Sequence, residues 1–273
     1  MNKKIFIFGS NGMLGNYVKK YLSSYNLIII PITREKYDLS NISINSLTNF
    51  LNKYDLKEDD IIINCAGIIP QVSKDKVLTK NIYYRINSIY PIILSIIAMN
   101  KNAHFIHITT DCVFSGKDGN YNETSIHDED NDYGTSKSLG EICNGTIIRT
   151  SIIGEEIINK RSLVEWVKSN KNSEINGYIN HYWNGVTCLE LSKIIYKIIN
   201  ENLYWNGVKH IFSPTTINKY QLCNMINNIY DLNINIKEFQ TEKVDKSITS
   251  IYDKIFEIPE LDVQIKEMKD YII

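Results

Sequence analysis

The opening of the chain constrains its fold most. A strand-length apolar run at 4–8 (KIFIF) passes directly into Gly9-Ser10-Asn11-Gly12-Met13-Leu14-Gly15, and that turn opens an amphipathic stretch over 12–24. Three glycines at this spacing suit a tight turn from strand to helix. They allow the backbone to approach a pyrophosphate closely and the helix to pack against the strand, while the helix N-terminus offers unpaired N–H groups to the anion. Gly9, Asn11, Gly12, Met13, Leu14 and Gly15 are therefore the candidate dinucleotide-binding turn.

Further along, apolar runs at 27–32, 60–65, 104–109 and 146–149 alternate with helical periodicity at 43–53, 80–100 and 133–142. Nearly continuous apolar strands separated by helices imply βαβ units and a parallel sheet covered on both faces. The second half reads as helices at 162–169, 188–200, 218–229 and 261–271, with short strands at 209–212 and 233–239. The expected fold is a Rossmann-like, doubly wound α/β sheet with a smaller α/β C-terminal lobe.

Composition excludes several classes. Hydrophobic residues are 43% and charged residues 22% of the 273, an ordinary globular balance rather than a disordered one. Thirty Lys and Arg against 31 Asp and Glu leave a net charge of −1, with no basic surplus for a nucleic-acid backbone. Cysteines at 65, 112, 143, 188 and 223 form no CxxC, so neither a disulfide framework nor a metal site is expected, and a reducing cytoplasm fits. The start MNKKIFIFGSNG lacks a signal peptide's longer apolar stretch, and the apolar stretch at 89–99 is interrupted by Tyr90 and Pro91, so no membrane partner is expected.

A dinucleotide's second anchor lies after strand two, where NAD binders place a carboxylate on the ribose. This chain reads Pro31-Ile32-Thr33-Arg34-Glu35-Lys36. Thr33 and Arg34 suit a 2′-phosphate, which favours NADPH, with NADH as the alternative if Arg34 and Lys36 are merely solvated. Asp38 is placed to reach the adenine. Asn64, Ala66 and Gly67 end strand three with small residues that admit the nicotinamide side of the cofactor.

Tyr133-Gly134-Thr135-Ser136-Lys137 is a YxxxK at helical spacing, with phenol and ammonium one turn apart on one face. A phenol has a pKa of about 10, and a neighbouring cation lowers it by favouring phenolate. Tyr133 then protonates an alkoxide, while Thr110, ending the fourth strand, holds a substrate carbonyl.

Taken together, GSNGMLG, INCAG, ITTDCVFSG, DYGTSKSLGE and IIRTSIIGEE, and more loosely VKHIFSPTTINKYQL, make the chain resemble the extended short-chain dehydrogenase/reductases. Within them it looks like the dTDP-4-dehydrorhamnose reductase group of nucleotide-sugar 4-ketoreductases. The resemblance implies a triad of Thr110, Tyr133 and Lys137, a UDP- or dTDP-4-keto-6-deoxy-hexose substrate of rhamnose or acetamido-rhamnose type, and glycan biosynthesis. It also implies a cofactor domain of 1–150 plus about 184–212 and a substrate lobe of 151–183 plus 213–273. Homodimers are common among such proteins.

One departure matters. Reductases of this group usually carry Tyr after the TD of strand four, whereas this chain has Cys112 after Thr110-Asp111. In bifunctional relatives that epimerise before reducing, a cysteine two residues after the catalytic Ser or Thr is an acid/base. Cys112 is in that register, which implies C3 epimerisation before reduction, with reduction alone as the alternative. Epimerisation needs a group on the opposite sugar face, and Lys160, Arg161 and His181 are the candidates, with Asp111 as a further substrate contact. His104, His107, His127 and His210 form no constellation. Two other readings stand: a non-catalytic dinucleotide-binding regulatory subunit, and a 4,6-dehydratase or 4-epimerase, which the lack of an Asp-Glu pair after Thr110 disfavours.

Overall fold

A computed structural model describes residues 3–39, 43–70 and 80–273. Met1 and Asn2, the first residues of the basic start, lie outside them. The chain begins β1 (Lys4–Phe8), α1 (Met13–Ser23), β2 (Ile28–Ile32), α2 (Ile44–Asn52) and β3 (Ile61–Asn64). A 21-residue helix, Lys80–Asn100, follows; it comprises α3 (Lys80–Tyr84), a π-helical segment (Arg85–Ile89) and α4 (Tyr90–Asn100). It is long and apolar enough to span a bilayer by length and composition, but half of its most apolar window is buried within the fold. Next come β4 (His104–Thr110), a short 3-10 turn (Asp111–Val113), α5 (Asp132–Gly140) and β5 (Thr146–Thr150).

The main sheet runs β2-β1-β3-β4-β5-β10, all parallel, where β10 is Gly207–His210. β1, β3 and β5 are almost wholly buried, as apolar strands covered on both faces must be. Pro31 can stand within β2 because β2 is an edge strand with no second partner awaiting its missing N–H. On one face α1 packs against α7 (Cys188–Asn200), and on the other α2 packs against α4. Chain order reverses between β1 and β3, so the carboxyl ends of these strands open the crevice where doubly wound folds bind ligands.

After β5 the chain forms β6 (Ile152–Ile153), α6 (Leu163–Ser169), β7 (Glu174–Tyr178), β8 (His181–Trp183) and β9 (Val186–Thr187). Beyond β10 it forms β11 (Ile217–Asn218), α8 (Lys219–Tyr230), β12 (Asn235–Phe239), β13 (Val244–Asp245) and α9 (Leu261–Asp270). Small sheets β11-β8-β13, β12-β7 and β6-β9 form from these strands. Several of these strands are two or three residues long and carry no periodicity, so the sequence reading does not contain them. Side-chain caps locate the helices: Ser43 caps α2, Asn131 caps α5, Thr187 caps α7 and Asn218 caps α8. Each such cap stabilises its helix by about 1 kcal/mol. All five cysteines are free thiols, and among the described residues no cluster of His, Cys, Asp or Glu could hold a metal.

Candidate active site

The glycine turn is built around close backbone approaches. Gly9 has φ +73°, and a Cβ there would lie 2.8 Å from both the N and Cα of Ala66. A Cβ on Gly15 would lie 2.1 Å from the Gly9 carbonyl oxygen. Side chains are thus excluded where strand, turn and helix meet. Gly12 is the N-cap of α1 and supplies no side-chain acceptor, leaving the first N–H groups to face the crevice. The Leu14 side chain is buried in the core and Met13 is packed against it, so these two would serve a ligand through their backbone. The Asn11 carbonyl is held by the Asn16 amide at 3.0 Å. Ser10 is fully buried with its hydroxyl unpartnered. A narrow, side-chain-free cradle at an uncapped helix start fits a dinucleotide pyrophosphate.

Beyond β2, Lys36 N and Tyr37 N both donate to the Thr33 carbonyl, closing a turn. Arg34 is 79% exposed and lies 3.6 Å from the Asp38 carboxylate. Lys36 folds back onto the Pro31 carbonyl at 2.9 Å, so Arg34 is the guanidinium left facing outward beside the turn. Asn64 departs from expectation. Its side chain is wholly buried, its Oδ1 accepts from Ala66 N at 3.0 Å, and its amide meets His107 Nδ1 at 3.1 Å. With both ends engaged, Asn64 shapes the loop rather than touching a cofactor. Gly67 remains open, with the nearest atoms to a Cβ there being Asn87 Oδ1 at 3.4 Å and Lys137 Nζ at 4.0 Å.

β4 and α5 carry the three residues of the expected triad, Thr110, Tyr133 and Lys137. Thr110 caps the 3-10 turn by accepting from Cys112 N at 3.1 Å and donates to Asp111 Oδ1 at 3.1 Å. Lys137 is buried and donates to the Ile108 carbonyl at 3.0 Å. Burial lowers its ammonium to about 8. Tyr133 corrects the expectation of a lowered phenol: desolvation dominates, the neighbouring Cys112 and Asp111 add to it, and the hydroxyl is pushed above its ordinary value. Tyr133 is therefore held protonated. Cys112 is likewise pushed up to about 12, first by burial and then by Asp111, and its thiol donates to Asp111 Oδ1 at 3.5 Å. The Asp111 carboxyl is itself raised by burial.

The candidates for the opposite sugar face lie on two separate elements. Lys160 and Arg161 are exposed on the loop before α6, where Glu156 accepts from the Arg161 backbone. His181 lies on β8 with Nε2 2.7 Å from the Thr241 hydroxyl, and its ring is stacked on Tyr178. The cations that act on Asp111 are instead Lys246 and Lys219. Lys246 pairs with Glu129 at 3.1 Å, and Glu129 packs against Gly134. Lys219 lies over the Trp183 ring at 4.8 Å. Lys219 falls within the loosely matching VKHIFSPTTINKYQL stretch, and Lys246 falls within none of the quoted motifs.

Asn87 was also absent from the sequence reading. It sits in the π-helical segment, accepts from Ile68 N at 2.9 Å, and donates to the Ile68 carbonyl and the Ser136 hydroxyl, each at 3.1 Å. The widened turn lets one amide clasp the loop after β3 beside Lys137, the kind of place where π-bulges accumulate. A further correction concerns the histidines. His127 and His210 both converge on the buried Arg149 guanidinium at 2.7 Å.

The chain is 30% identical over 155 residues to the spore coat polysaccharide biosynthesis protein SpsK of Bacillus subtilis, covering 54% of this chain and 52% of that protein. It is 27% identical over 142 residues to the probable low-salt glycan biosynthesis reductase Agl14 of Haloferax volcanii, covering 50% and 47%. The matches thus span about half the length of these curated relatives. Its fold matches the dTDP-4-dehydrorhamnose reductase of Bacillus anthracis in complex with NADP, with a TM-score of 0.80 at 22% identity over 98% of this chain and 99% of that one. The RmlD substrate binding domain profile matches residues 3–248, which include the glycine turn, the Thr110 strand and the YxxxK helix. The resemblance read from the motifs is therefore membership, and the chain belongs to the RmlD substrate binding domain family.

Proposed function

We propose that this chain is an NADPH-dependent reductase that converts the C4 ketone of a UDP- or dTDP-linked 4-keto-6-deoxy-hexose, of rhamnose or acetamido-rhamnose type, to the alcohol for glycan assembly. The observation that carries the reading is Tyr133: a phenol that desolvation holds protonated, one helical turn from the buried Lys137. The backbone of Gly12 to Gly15 would hold NADPH, with Arg34 available to its 2′-phosphate, and the cofactor would supply the hydride. Thr110 orients the ketone oxygen, Tyr133 delivers its proton to that oxygen as charge develops, and the Lys137 ammonium stabilises the resulting phenolate. In this reading residues 1–150 with about 184–212 hold the cofactor, and 151–183 with 213–273 hold the sugar nucleotide. NADPH consumption with freshly generated 4-keto sugar nucleotides tests the assignment, and absence of turnover with all of them would sink it.

The electrostatics favour reduction alone over epimerisation followed by reduction. Cys112 is in the register of an epimerase acid/base, but a thiol held near 12 beside a carboxyl group is a proton donor, and removal of C3–H needs an acceptor. Reaction in D2O, read by NMR of the sugar, is expected to give product without deuterium at C3. Deuterium at C3 that disappears in Cys112→Ser would establish epimerisation instead.

The reaction also carries a pH signature. Lys137 must be cationic to stabilise phenolate, and its ammonium is lowered to about 8. The charge is present below that pH and lost above it, so kcat/KM for reduction is expected to fall as pH rises through about 8. A profile flat to pH 10 would remove Lys137 from the mechanism.

A further inference from the structure

His107 lies on β4, three residues before Thr110 and 1% exposed, and no step above uses it. Its surroundings define which ring nitrogen carries the hydrogen. Asn64 Oδ1 accepts from Ala66 N at 3.0 Å, so the Asn64 group facing His107 is its amide Nδ2. That amide can only donate, and therefore His107 Nδ1, 3.1 Å away, accepts, which puts the hydrogen on Nε2, a buried atom with no hydrogen-bond partner among the described residues. The bond continues through Asn64 to the backbone of Ala66, whose N and Cα lie 2.8 Å from the point a Cβ on Gly9 would occupy. The two loops touch at the width of a glycine. Cys65 N donates to the Phe8 carbonyl at 3.0 Å and sets the register of the same approach.

We infer that His107 is a positioning residue for the dinucleotide: through Asn64 it holds Ala66 against Gly9 and so sets the geometry of the phosphate turn. This rests on the proposal that the turn binds NADPH. The chain of bonds has one direction. If Nδ1 stops accepting, the buried Asn64 amide loses its acceptor and the side chain turns to find another, withdrawing Oδ1 from Ala66 N. The loop after β3 is then free to shift against Gly9, at the point where backbone must lie closest to a pyrophosphate. Burial and the nearby Lys137 keep the imidazole neutral, as an accepting Nδ1 requires.

Two substitutions separate this role from packing. Asn places its Oδ1 where His places Nδ1 but leaves more empty volume than Leu, whereas Leu fills the space and offers no acceptor. His107→Leu is expected to raise the Kd for NADPH, titrated by its fluorescence, by about tenfold or more, with His107→Asn within about threefold of the parent. His107→Asn is nevertheless expected to melt lower than His107→Leu. A His107→Asn variant that binds NADPH more weakly than His107→Leu, or binding unchanged in both, overturns the inference. Nitrogen-15 NMR of the ligand-free parent is a measurement that needs no variant to fold: hydrogen on Nε2 is expected, and hydrogen on Nδ1 overturns it. Failure of the parent chain to bind NADPH or NADH would instead count against the proposed function, and this inference would fall with it.

Discussion

Tyr133→Phe is expected to lower kcat for ketone reduction by on the order of 10²-fold or more while leaving the Kd for NADPH within about threefold. The substitution removes one hydroxyl and keeps the ring, including its edge contact with Tyr83 at 6.5 Å between centroids. The ketone oxygen keeps the Thr110 hydroxyl but loses the group that hands it a proton. Stopped-flow NADPH oxidation beside a fluorescence titration measures both quantities. Turnover within about threefold of the parent would remove Tyr133 as the acid. The same experiment separates an enzyme from a dinucleotide-binding regulatory subunit, because a regulator's effect on its partner would survive loss of the hydroxyl.

Glu141→Ala is expected to destabilise the fold by about 3–5 kcal/mol, a fall in Tm on the order of 10 °C. Arg149 is 2% exposed, and Glu141 receives it with two bonds, Nε to Oε1 at 3.0 Å and Nη2 to Oε2 at 2.5 Å. The remaining partners, His127 and His210, accept from the guanidinium as neutral rings, and burial holds His210 down at about 4. Neither replaces the lost negative charge. The guanidinium would stay buried with its charge uncompensated, the costly half of any buried ion pair. Thermal melts of parent and variant test this, and a loss below about 1 kcal/mol would mean that water or the histidines absorb the charge. The effect should reach the active site, since Glu141 directly follows α5, the helix that carries Tyr133 and Lys137.

Much of the first half of the chain was legible because its information is local. Gly9, Gly12 and Gly15 recur within a single turn, and Tyr133 and Lys137 stand one helical turn apart. The resemblance to the reductase family rested on those same short motifs. The second half was less legible. Lys160, Arg161 and His181 were singled out for the sugar face by residue type and region, whereas the cations acting on Asp111 are Lys219 and Lys246, set at the start of α8 and just beyond β13 by the packing of short strands without periodicity.

Local spacing in the sequence by itself determined the alternation of strands and helices, the glycine turn and the YxxxK pair, because backbone geometry alone relates residues so close along the chain. Only the tertiary structure decided which distant groups share a dielectric environment. It brought Asn87 and Gly67 to Lys137, desolvated the half-buried Tyr133 and Cys112 enough to raise both, and joined His127, His210 and Glu141 around Arg149. Burial sets the protonation of a side chain, and burial depends on everything packed around it rather than on its neighbours in sequence.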